Sequence, residues 1–129
     1  MQQGSLRTPL ARAIGLGSAK SGVDHWWAQR VSAVALIVLG LWFAASIVSL
    51  AGADHAAVLA WLHGPLAAIA TILLLVAVFY HTALGLRVVI EDYVHSEGGK
   101  LFAIAAVQLL SVGLAVAGIF AVLRIAFRG

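Results

Sequence analysis

The sequence contains no cysteine among its 129 residues. That excludes disulfides, thiolate metal sites and cysteine nucleophiles from this chain. Charge is scarce as well, at 10% of residues, where a soluble domain carries about 25%. The net charge of +3 comes from basic residues dispersed over several segments, which excludes a concentrated nucleic-acid patch. No internal repeat is visible. Residues 1–24 mix Arg7, Arg12 and Lys20 with glycine, serine and other small residues. They lack an apolar core directly behind a short basic start, so no secretory signal is expected there. The stretch Gly15–Gly22, "GLGSAKSG", lacks the Gly-Lys-Ser/Thr ending of a phosphate loop and has no strand before it. It reads as part of a flexible cytoplasmic arm.

What the chain has in excess is apolar sequence, 63% of its residues. A bilayer core about 30 Å thick requires roughly 20 mostly apolar helical residues. Three segments qualify, from about Ala28 to Leu50, Pro65 to Ile90 and Leu101 to Leu123. Their apolar runs are continuous and lack period-2 alternation, which predicts helices rather than strands. The expectation is an all-α membrane protein of three transmembrane helices, residues 28–129, behind a cytoplasmic N-terminal arm, residues 1–27. Between the first two spans, "AGADHAAVLAWLHGP" allows a short interfacial helix from Ala56, with Trp61 at headgroup level and Pro65 opening the next span. Between the last two, Gly98 and Gly99 are placed to permit a tight reversal.

Basic residues set the orientation. Arg7, Arg12, Lys20, Arg30, Arg87 and Lys100 fall on one side, and Arg124 and Arg128 on the other. Six against two predicts a cytoplasmic N-terminus and a periplasmic C-terminus. Gly113, Ala117 and Ala121 in the third span, and Gly40 and Ala44 in the first, are spaced for close helix approach.

Of the five histidines, His25, His55, His63 and His95 fall at interfaces or in loops, and only His81 lies deep. It precedes Asp92 by eleven residues, or about 16 Å of helix. A neutral imidazole at that depth fits a haem axial ligand, a proton relay or an interhelical hydrogen bond. Gly85, one turn on, removes bulk for a flat macrocycle or for a neighbouring helix. If the group is a haem with two histidine ligands, this chain supplies only one, and a partner must supply the other. Arg87 and Glu91 are spaced to pair on one helix face. Arg87 and Arg30 are also candidates to hold an anionic group, a haem propionate or a lipid headgroup. Tyr93 suits an aromatic belt or a hydrogen bond to a quinone carbonyl, with Asp92 beside it to orient the phenol or pass protons. In "DHWWAQR", Trp26 and Trp27 read as interface anchors, and His25 and Arg30 are placed to face the edge of a bound cofactor.

His81, Gly85, Asp92 and Tyr93 form H-x3-G-x6-D-Y at the end of the second span. With the arm "LRTPLARAIGLGSAKSGVDHWWAQR", this resembles the smaller hydrophobic membrane anchor of succinate dehydrogenase, respiratory complex II, of alphaproteobacterial type. The resemblance implies a chain of the bacterial inner membrane that takes part in the tricarboxylic acid cycle and electron transport. By position it makes His81 an axial ligand of haem b and Tyr93 and Asp92 the ubiquinone-binding pair. It places His25 and Arg30 near the haem edge. Arg87 departs from members that carry a neutral residue there. The implied partners are a larger cytochrome b anchor with the opposite haem ligand, an iron–sulfur subunit, and a flavoprotein with FAD that oxidises succinate. Two other readings stay open: an anchor of a fumarate reductase or other quinone-linked cytochrome b complex, and a cofactor-free membrane scaffold.

Overall fold

The structure, a computed structural model, describes residues 18–128, with side-chain surroundings from residue 22 onward. Arg7, Arg12 and the first part of the Gly15–Gly22 stretch lie outside the described residues. Among the described residues all regular structure is helical: α1 (Ser18–Ser49), α2 (His55–His63), α3 (Pro65–Tyr93) and α4 (Glu97–Ala126). Three of them are long and apolar enough to cross a bilayer, over Gly22–Ser49, Pro65–Tyr93 and Glu97–Ala126. The long helices run past the apolar stretches at one end or both: α1 takes in Asp24 ahead of Ala28, α3 continues through Glu91 and Asp92 beyond Ile90, and α4 takes in Lys100 and Arg124, all residues compatible with helix. The end of the stretch read as a flexible arm, residues 18–22, is therefore helical.

Local chemistry sets the breaks. After α1 the chain turns with Ala53 N–H donating to the Leu50 carbonyl at 2.9 Å, and Gly52 takes φ +80°, a conformation that favours glycine. Asp54 caps α2, its carboxylate accepting from the Ala57 N–H at 2.8 Å. Pro65 opens α3, where a missing N–H costs nothing. The reversal before α4 does not use the glycine pair. It falls at residues 94–96, and Gly98 and Gly99 lie inside the first turn of α4. Ser96 caps that turn, accepting from Gly99 N–H at 3.1 Å. A Cβ at Gly99 would come within 2.5 Å of that hydroxyl, so glycine there leaves the cap room to close.

The long helices form a row. α3 packs against α1 on one side and α4 on the other, while α1 and α4 do not approach each other. Large residues such as Leu66, Leu109 and Phe102 point outward, as expected where lipid is as apolar as leucine. The interfaces are built from small groups, with Ala67, Ala68 and Ala77 of α3 buried. At Gly118 of α4 a Cβ would lie 3.1 Å from Leu75 of α3. The small-residue spacings noted in the sequence meet no other helix among the described residues: at Gly113 and Gly40 a Cβ would meet nothing within 4 Å, and Ala117, Ala121 and Ala44 are exposed. At the opposite end, α2 is held by the stacking of Trp61 on Trp42, centroids 5.8 Å apart. His63 Nδ1 also donates to the Ile125 carbonyl at 3.2 Å.

Candidate functional site

α3 carries most of the sequence-predicted site residues, and its geometry distributes them. At 3.6 residues per turn, Gly85 and Asp92 lie within about 40° of His81 around the axis, and Tyr93 about 120° away. His81 is half-buried at the α1–α3 contact, and Ser32 Oγ of α1 lies 3.0 Å from its Nδ1. Ser32 is 6% exposed and is the one buried polar residue among the described residues. Its hydroxyl also donates to the Gln29 carbonyl at 3.0 Å. The other ring nitrogen of His81, Nε2, has no hydrogen-bond partner among the described residues.

Beside His81 the structure leaves space. A Cβ at Gly85 would meet nothing within 4 Å, so none of the described residues fills the notch. Thr82, Val89 and Tyr93 follow on the same uncovered side, and Tyr93 is 77% exposed. Asp92 is exposed as well.

Toward the ends of α1 and α3 that carry Trp26 and Glu91, a cleft of about 480 Å³ opens between the two helices. His25, Trp26 and Gln29 line it from α1, and Leu84, Arg87 and Glu91 from α3. The structure thus brings His25 and Arg87 together. Arg87 Nε donates to Glu91 Oε1 at 2.9 Å, the one-turn pair its spacing predicts. Arg30 is exposed and does not line the cleft; its guanidinium lies over the Trp26 ring, 5.3 Å from the centroid. Tyr93 and Asp92 are also outside the cleft.

Ser32 and Gln29 were not singled out in the sequence. The available signal was a hydroxyl in a strongly apolar run: between Arg30 and Trp42 no other polar side chain occurs.

A haem would ask one thing of this chain, an imidazole with one nitrogen left free to meet iron. His81 fits that. Nδ1 is engaged, Nε2 is unpartnered among the described residues, and the Gly85 notch lies one helical turn on.

These features define a class: a multi-pass helical membrane subunit with a central helix that offers one deep imidazole and an uncovered face. The family model described as succinate dehydrogenase/fumarate reductase transmembrane subunit matches residues 4–115, and the chain belongs to that family. It is similar to the succinate dehydrogenase hydrophobic membrane anchor subunit of Rickettsia bellii (strain RML369-C), 34% identical over 116 residues covering 90% of this chain and 93% of the relative. The subunit of the same description from Paracoccus denitrificans is 40% identical over 86 residues, 67% of each chain. No solved structure matches. The resemblance read from the sequence is borne out at the level of the family. The chain is a membrane part of an enzyme complex, not an enzyme alone.

Proposed function

We propose that this chain is the hydrophobic membrane anchor of a succinate:ubiquinone oxidoreductase of the bacterial inner membrane, co-ligating haem b and contributing to the quinone-reduction site. The observation that carries the reading is His81, whose Nδ1 is held by Ser32 while Nε2 has no partner among the described residues, one helical turn from the Gly85 notch. The N-terminus and the α3–α4 turn face the cytoplasm, as the six-to-two distribution of basic residues supports. On that side the anchor meets the iron–sulfur subunit, and through it the flavoprotein that carries FAD.

From this chain His81 would hold haem b through Nε2, with the larger cytochrome b anchor supplying a second ligand, and the haem would provide a one-electron store. His25 and Arg87, from the walls of the cleft, and Arg30, held over the Trp26 ring, are the hydrogen-bond donors available to its propionates. Tyr93 donates its phenol proton in a hydrogen bond to a quinone carbonyl at the membrane edge, where a polar headgroup and an apolar tail are both accommodated. Asp92 passes protons to that site. Quinone takes two electrons from the iron–sulfur partner and two protons from the cytoplasmic side to become quinol.

Purification of the complex through a tag on this chain tests the reading. The expected preparation contains a larger anchor, an iron–sulfur subunit and a flavoprotein, reduces ubiquinone with succinate, and shows a reduced-haem band. A preparation with those subunits and no haem contradicts the ligand assignment. One without them contradicts the anchor.

A further inference from the structure

Three serines of α1 have described hydroxyls, and all three donate back to their own helix: Ser32 to Gln29, Ser46 to Trp42 and Ser49 to Ser46. Such a bond satisfies a hydroxyl in an apolar medium. Ser32 alone takes a second partner, His81 Nδ1 at 3.0 Å, from a different helix.

A hydroxyl has one proton. The Gln29 carbonyl, 3.0 Å from Ser32 Oγ, can only accept, so that proton lies between the two oxygens. The Ser32–His81 contact must then be made by a proton on Nδ1. The other tautomer would turn the hydroxyl proton toward Nδ1 and leave two oxygen lone pairs facing each other across 3.0 Å.

We propose that Ser32 is a positioning residue for His81: it accepts the Nδ1–H bond and thereby selects the tautomer in which Nε2 carries a free lone pair. The assignment rests on the reading of His81 as a haem ligand. Ser32 does not touch iron. It fixes the ring plane and keeps the proton on Nδ1, leaving the Nε2 lone pair for the metal. Partners of this kind beyond the ligand are worth about 10–100-fold in metal affinity.

The test uses the complete complex. Ser32→Ala removes the acceptor while keeping a good helix former of similar size. Its haem content per flavin under detergent washing falls, with affinity lowered about 10–100-fold. The haem midpoint potential rises, because an imidazole that has lost its Nδ1–H bond gives less electron density to the ferric state. Ser32→Thr, with a hydroxyl on the same carbon, restores both. If Ser32→Ala fails to assemble, Ser32→Cys keeps the volume with a weaker acceptor and carries the same expectation. Haem retention and potential equal to wild type in the Ala variant overturn the proposal, as does a Thr variant that behaves like Ala. His81→Ala run alongside separates the two ideas. If it loses haem while Ser32→Ala is unaffected, only the Ser32 assignment fails. If it keeps a wild-type haem, the ligand reading fails and this inference with it.

Discussion

His81 and Tyr93 stand on one uninterrupted helix, twelve residues apart. That is about 18 Å along the axis, with about 120° between them around it. One rigid element therefore sets both the depth of the imidazole and the height of the phenol, and the row-like packing leaves both beside the uncovered side of α3.

Tyr93→Phe keeps the ring and removes the hydroxyl. Because Tyr93 is exposed and its side chain bonds to none of the described residues, assembly and haem content are expected to be unchanged. Succinate-driven reduction of ubiquinone should fall on the order of tenfold, the equivalent of one hydrogen bond of about 1–1.5 kcal/mol. Steady-state assays with native quinone and with an artificial acceptor make the measurement. Equal loss with both acceptors, or none with quinone, removes Tyr93 from the quinone site.

Arg87 and Glu91 form a half-exposed pair. Breaking it costs less than about 1 kcal/mol of stability. Arg87→Gln and Glu91→Gln are accordingly expected to assemble normally. If Arg87 also meets a propionate, Arg87→Gln shifts the haem potential and Glu91→Gln does so far less. Identical potentials in both variants would reduce Arg87 to its helix pair.

The α3–α4 contact turns on Gly118 against Leu75. Gly118→Val overpacks it, at a cost of about 2 kcal/mol, read as a lower melting temperature of the complex. Among the described residues, Gly113→Ala meets no neighbour. If Gly113→Ala nevertheless disrupts the assembled complex, that face of α4 is where a partner subunit packs.

How much of this was legible in the residues follows from which interactions are local. The apolar runs, the Asp54 cap, Pro65 and the isolation of His81 among the histidines are encoded within a few neighbouring positions, and the fold agrees with them. The contacts between helices are not. Alanine and glycine are so frequent here that several small-residue stripes exist, and the helix crossing selects Gly118 where spacing alone favoured Gly113. Ser32 meets His81 across 49 residues, and no local pattern shows which face of α1 turns toward α3. The turn before α4 misled for a different reason: Gly98 and Gly99 invite a reversal, but Ser96 caps the helix and draws both into its first turn.

The absence of cysteine makes topology directly measurable. Single cysteines replacing Ala53 and Ser96 should react with an impermeant thiol reagent from opposite sides, Ala53→Cys from the periplasm and Ser96→Cys only after the cytoplasmic face is opened. Ser96 is a cap, so its replacement is also expected to cost about 1 kcal/mol. The reverse labelling pattern would invert the orientation.

The most direct test of the account is the reduced-minus-oxidised optical spectrum of the assembled complex carrying His81→Ala. Loss of the haem band, with flavin and all subunits retained, is the predicted result. A band of wild-type position and amplitude in that variant would contradict it.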